Sequence, residues 1–114
     1  MTGPLAAVDP SSPVGTAVAA ELDGMPVTVV RHEGGWVAVD EMCTHAACPF
    51  AADGEVFDGT VLACNCHGSE FDLRTGAVLL GPAEAPLTVR ALEVVDGTLR
   101  TAGTPRIKAK PPTL

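Results

Sequence analysis

The sequence predicts an all-β domain, and three observations carry that expectation. The 114 residues include twelve glycines and ten prolines, which suits a chain of many turns. Short β-branched or alternating runs recur between Gly-containing turns. No stretch of comparable length repeats its apolar residues with a period of 3.6. The length predicts a single domain over residues 1–114, large enough for a core but not for a second domain. Composition is that of a globular protein, 46% apolar, with one Trp, three Phe and no Tyr.

In chain order, residues 1–13 (MTGPLAAVDPSSP) read as a loose lead-in. Thr16–Leu22 follows, then the turn Asp23-Gly24. Pro26–His32 is a β-branched run, Gly34-Gly35 a turn, and Trp36–Asp40 an alternating strand, together a hairpin signature. His32 sits on the first of these strands and is expected at the surface. Beyond Cys48-Pro49-Phe50 and Ala51–Asp53, the short strands Glu55–Phe57 and Thr60–Ala63 flank the turn Asp58-Gly59. Glu70–Leu73, the turn Arg74-Thr75-Gly76 and Ala77–Leu80 lead to Gly81-Pro82-Ala83. Pro86–Val95 and Thr98–Thr101 form a last hairpin around Asp96-Gly97. The tail, about 103–114, is rich in Pro and basic residues and is expected to be extended and flexible. Some nine short strands on this spacing predict a sandwich or a barrel.

Charge narrows the function. The net charge is −7, but Arg106, Lys108 and Lys110 lie in the tail, so the first 105 residues carry 14 acidic against 4 basic side chains, or −10. That excludes the basic footprint of nucleic-acid binding. It suits docking on a positively charged protein, although acidity also serves solubility alone. The longest apolar runs are far too short to span a bilayer, and no signal peptide is visible. The expected location is therefore cytoplasmic, with an exported or membrane-anchored form as the alternative if the native amino end has been removed.

The four cysteines and two of the three histidines fall in two short segments, Cys43-Thr44-His45-Ala46-Ala47-Cys48 and Cys64-Asn65-Cys66-His67-Gly68-Ser69. Each offers a Cys and a His close together. Two thiolates and two neutral imidazoles suit either a tetrahedral zinc ion or a [2Fe–2S] cluster with histidine on one iron. Spacing weighs against zinc, because common zinc sites use C-x2–4-C knuckles and the second segment is packed C-x-C-H.

C-T-H-x-x-C followed by C-x-C-H-G-S resembles the cluster-binding signature of the Rieske iron–sulfur proteins, in the subtype with a disulfide between the two loops. The resemblance runs from about residue 26 to about residue 102. It implies an antiparallel β-sandwich base domain with an inserted cluster-binding subdomain, here about residues 42–83, and one [2Fe–2S] cluster per chain. It implies Cys43 and Cys64 on one iron, His45 and His67 on the other, and a Cys48–Cys66 disulfide; two free buried thiols are the alternative for that pair. Disulfides are uncommon in a reducing cytosol. Replacing two thiolates by imidazoles removes negative charge, and Rieske centres run from about −150 to +300 mV against about −400 mV for plant-type ferredoxins. By the same resemblance Ser69 donates a hydrogen bond to a bridging sulfide, and Gly81-Pro82-Ala83 is the loop that covers the cluster. High-potential relatives carry a tyrosine where this chain has Phe71, so a potential below the top of the family range is expected.

His32 alone cannot supply the mononuclear iron site of an oxygenase, and Gly34-Gly35 is no dinucleotide loop. The expectation is a carrier rather than an enzyme: a soluble, monomeric Rieske-type ferredoxin passing single electrons from a reductase to a non-haem iron oxygenase or another oxidoreductase. The segment Phe71–Gly76 leading to a Gly-Pro loop is similar to dioxygenase ferredoxins, whereas the Cys48/Cys66 pair departs from most of them. The main alternative is a Rieske subunit of a quinol-oxidising cytochrome complex or an arsenite oxidase, cut free of its anchor. A zinc-binding interaction module and a domain that senses redox state through Cys48 and Cys66 are further alternatives.

Overall fold

The structure, a computed structural model, describes residues 3–44 and 48–102. The expected tail, 103–114, and His45 lie outside the described residues. Among the described residues ten strands form two sheets: β1 (Gly3–Pro4), β2 (Ala17–Leu22), β3 (Met25–His32), β4 (Gly35–Asp40), β9 (Val89–Val95) and β10 (Thr98–Thr101) in one, and β5 (Gly54–Phe57), β6 (Val61–Cys64), β7 (Ser69–Asp72) and β8 (Val78–Leu80) in the other. All pairs are antiparallel except the two-residue β1 against β2.

Turn chemistry fixes three of the hairpins. Asp23-Gly24, Asp58-Gly59 and Asp96-Gly97 all have positive φ at both residues, 53° and 79°, 52° and 74°, 52° and 77°. This is the Asp-Gly turn whose twist matches that of the flanking strands. Alternation then sorts the side chains of the larger sheet. Val30, Val37 and Val39 face the four-stranded sheet, while Val29, Trp36 and Ala38 pack with Leu5, Leu92 and Leu99 on the other side. Both faces are therefore covered, which explains why β3 and β4 read as nearly continuous apolar runs.

The smaller sheet is an insertion. The chain leaves the larger sheet at Asp40 and returns at Val89, and β4 and β9 are hydrogen-bonded neighbours (Val39 opposite Val89). The neck is pinned where the Thr88 N–H donates to Asp40 Oδ2 at 3.1 Å. The strand expected from Pro86 starts instead at Val89, because the Leu87 N–H turns away to Gly76 O at 2.8 Å. The segment 50–53, a lead-in by sequence, is one helical turn, α1 (Phe50–Asp53), whose Phe50 is fully buried.

Two expectations are corrected. The lead-in is not loose where it is described. Leu5 is in the core, and Arg31 Nη1 donates to the carbonyls of Pro10 (3.1 Å) and Ser12 (2.8 Å) while Trp36 Nε1 reaches Pro10 O at 3.3 Å. His32 is not a surface residue but 8% exposed. It lies where the β3–β4 turn meets the inserted sheet, beside the Glu33 N–H to Gly59 O bond at 2.8 Å.

That burial has a pH consequence. Burial holds the His32 imidazole below its usual value; Glu33 raises it, Arg74 lowers it and Asp72 raises it. Its Nδ1 accepts the Gly34 N–H at 3.0 Å, which a protonated nitrogen cannot do. The unfolded imidazole therefore takes up its proton first as the pH falls. Stability is full above about pH 6.5 and is lost as the pH drops from there through the folded value. The thermal midpoint of the native chain should fall more steeply than that of His32→Gln between about pH 7 and pH 5. Parallel curves would remove His32 as the cause.

Candidate metal centre

The cysteines lie in the segment between β4 and α1 (Cys43, Cys48), at the end of β6 (Cys64) and in the turn after it (Cys66). β6 ends at Cys64, which pairs with Ser69 on one side and Gly54 on the other. The turn between Cys64 and Ser69 closes through the Gly68 N–H to Cys64 O at 2.8 Å, with Gly68 at φ 85°. The first segment is closed at its base by the Met42–Pro49 bridge and the Cys43 N–H to Cys48 O bond at 3.0 Å. Beneath both, Phe50 and Phe71 meet edge to face with ring centres 5.9 Å apart and no exposure.

This floor brings Cys43 and Cys64 together as buried free thiols in the core between the sheets. Burial pushes the Cys64 thiol up, as does the neighbouring Cys43 side chain, while the backbone N–H groups of Cys66 and His67 hydrogen-bond its sulfur and pull it down. Paired thiols served by amide donors are chemistry suited to thiolates on a cationic centre. The donor set thus fits an iron–sulfur group on its sulfur side.

Cys48 and Cys66 are joined by a disulfide, with Cα atoms 6.3 Å apart. Two free thiols at these positions are therefore ruled out. The His67 ring is exposed at the tip of the second segment, one of its nitrogens within 4.8 Å of both disulfide sulfurs. That grouping is not itself a metal site, because the sulfurs are spent on each other.

The third loop closes the site. Ser69 is fully buried, and its Oγ accepts the Ala83 N–H at 3.0 Å, leaving the hydroxyl proton to donate elsewhere. Gly81 and Pro82 are exposed and joined by a cis peptide bond, whereas Ala83 enters the core beside Cys43, Cys48 and Cys64. Three residues were not singled out by sequence. Thr44 Oγ1 donates to Ala85 O at 2.7 Å, tying the first segment to the third loop. Asn65 Nδ2 donates to Glu55 Oε1 at 3.1 Å. Phe50 floors the site. Thr44 and Asn65 stand next to cysteines, and that adjacency was the available signal.

The Rieske [2Fe-2S] domain model matches residues 5–96. The cytochrome b6-f complex iron-sulfur subunit of Chlorobaculum tepidum is 35% identical over 95 residues, 82% of this chain, and the chain spans half the length of that subunit. The 3-phenylpropionate/cinnamic acid dioxygenase ferredoxin subunit of Photorhabdus laumondii is 32% identical over 73 residues, covering 64% of this chain and 69% of the relative. Among solved structures, a Sphingomonas yanoikuyae B1 ferredoxin superposes with a TM-score of 0.70 at 29% identity, covering 82% of this chain and 91% of that one.

Proposed function

This chain belongs to the Rieske [2Fe–2S] domain family, and from that premise we propose that it is a one-electron carrier serving a non-haem iron oxygenase. The observation that carries the reading is the buried Cys43/Cys64 pair, with amide donors on Cys64 and His67 exposed at the rim. By the family pattern, Cys43 and Cys64 would hold one iron, and His45 and His67 the other. When bound, the [2Fe–2S] group takes up and releases one electron, at a potential raised by its neutral imidazole ligands. The unit that holds it spans about residues 42–83 of a single domain.

The chain's own residues do the rest. The buried walls, with Phe50 and Phe71 below and Ala83 beside, keep water from the thiolate side and lower the local dielectric. The Cys66 and His67 amides stabilise negative charge on Cys64. Ser69, oriented by Ala83, keeps its hydroxyl proton free for a sulfide. His67 is exposed at the rim of the site, so as a ligand its ring would mark the side of the group nearest solvent. A partner can approach that ring without displacing the core.

Purified protein should be red-brown, with a Rieske paramagnetic signal when reduced and a potential that falls at high pH. A colourless protein holding one zinc per chain would end the reading. The Cys48–Cys66 disulfide and the likeness to the b6-f subunit favour a second reading, a Rieske subunit of a quinol-oxidising cytochrome complex. A distinctly negative potential at neutral pH supports the oxygenase ferredoxin, and a positive one the second reading.

Phe71→Tyr tests the tuning. Its ring is fully buried against Phe50, and a hydroxyl there adds the donor that high-potential relatives possess. One hydrogen bond favouring the reduced state by about 1 kcal/mol raises a one-electron potential by about 40 mV. A redox titration reads this directly, and an unchanged potential would show that the added hydroxyl does not face the centre.

A further inference from the structure

β8 is one of the two edge strands of the inserted sheet, and its Leu79 and Leu80 are each 52% exposed. They are the one adjacent pair among the exposed large apolar residues described. Their position is not arbitrary. Leu80 pairs with Glu70, the residue after Ser69, and leads directly into Gly81-Pro82-Ala83 beside the buried cysteines. An exposed apolar edge of this kind invites association unless a partner covers it.

Charge says what kind of partner. Between Arg31 and Arg90 the sole lysine or arginine is Arg74. Its guanidinium is committed to Asp72, with Nε to Oδ1 at 3.0 Å and Nη2 to Oδ2 at 3.0 Å, at the end of β7 away from Ser69. At the Ser69 end no lysine or arginine among the described residues pairs with the carboxylates. Glu70 faces Leu80, Glu84 follows Ala83, and Glu55 holds Asn65 between Cys64 and Cys66.

We propose that Leu79, Leu80 and the adjoining Gly81–Ala83 loop form the docking surface for a basic redox protein, whose lysines or arginines meet Glu55, Glu70 and Glu84. The apolar strand edge supplies the desolvated centre and the carboxylates the steering rim. A second copy of this chain would bring the same acidic rim against itself, which charge repulsion disfavours. The inference rests on the electron-carrier reading and specifies its partner.

The test is stopped-flow oxidation of the reduced protein by two probes: cytochrome c, a basic haem protein, and hexaammineruthenium(III), a small cation. In each, one electron leaves the carrier and reduces the oxidant's metal, and no bond forms or breaks. At low ionic strength, Glu55→Gln/Glu70→Gln/Glu84→Gln should slow cytochrome c oxidation about tenfold and flatten its salt dependence. Leu79→Ser/Leu80→Ser should lower the ratio of the cytochrome c rate to the ruthenium rate about tenfold. The proposal is overturned if Glu21→Gln/Glu93→Gln, on the larger sheet, slows cytochrome c equally, if the leucine substitutions leave the ratio unchanged, or if the native rate rises with salt. Self-association abolished by the leucine substitutions would assign the surface to a second copy and overturn it too. Failure of the carrier reading is distinguishable, because then no variant has a visible band to follow.

Discussion

Gly76→Ala should destabilise the protein by about 3–4 kcal/mol, lowering the thermal midpoint by about 15 °C or more in a domain of this size. Gly76 is buried at φ 86°, in the left-handed region that an L side chain enters at a cost of about 1–2 kcal/mol. A Cβ there would strike the carbonyl oxygen of Leu87, with Val89 Cγ2 3.2 Å away. Neither neighbour can swing aside, since one is backbone and the other lies at the start of β9. The strand crossing must open, and the Leu87 N–H to Gly76 O bond, 2.8 Å, opens with it. Losing a buried hydrogen bond adds about 1–3 kcal/mol. Gly97→Ala is the control. It too has positive φ, 77°, but a Cβ there meets nothing within 4 Å, so only the conformational cost of about 1–2 kcal/mol applies. Equal losses in the two variants would show that the Leu87 contact relaxes freely.

Legibility followed the range of the interaction. The Asp-Gly turns were readable because their chemistry is local, and all three appear with the backbone that chemistry demands. The cysteine segments were readable because ligand spacing is a sequence property. Strand ends were less so. β7 begins at Ser69 rather than Glu70 because Cys64 pairs with Ser69 across the turn, a choice made by the neighbouring strand. What stayed hidden was contact between residues far apart in sequence. Nothing near Pro10 announces that Arg31 and Trp36 will claim its carbonyl. His32 looked like a surface histidine because the insertion that buries it begins only after Asp40. The Ser69–Ala83 and Thr44–Ala85 bonds likewise join loops that only the closed fold brings together. The proposed ligands are thus a local pattern, whereas the lattice around the two cysteines is a tertiary one.

Cys48→Ser/Cys66→Ser should show what that lattice needs. The disulfide spans a sequence separation of 18, and closing a loop of that size restricts the unfolded chain by about 3 kcal/mol. The loops have little else to compensate. Residues 65–68 are all exposed, and of the second segment only Cys64 and Ser69 are buried. Two single hydrogen bonds, from Thr44 to Ala85 and from Ala83 to Ser69, are the described ties to the third loop. Removing the crosslink leaves the first and second segments joined, among the described residues, by the packing of Cys43 with Cys64 and by the iron–sulfur group we propose they hold. Folding stability then depends on that group, and each opening of the loops exposes it. The double variant should still turn red-brown when loaded, because none of the proposed ligands is altered. Its visible band should bleach at least about tenfold faster than the native protein's in moderate denaturant, which corresponds to about 1.4 kcal/mol of the constraint appearing in the barrier. Addition of a dithiol reductant should accelerate bleaching of the native protein and not that of the variant. Equal bleaching without reductant would mean that the disulfide adds nothing to loops the iron–sulfur group already holds.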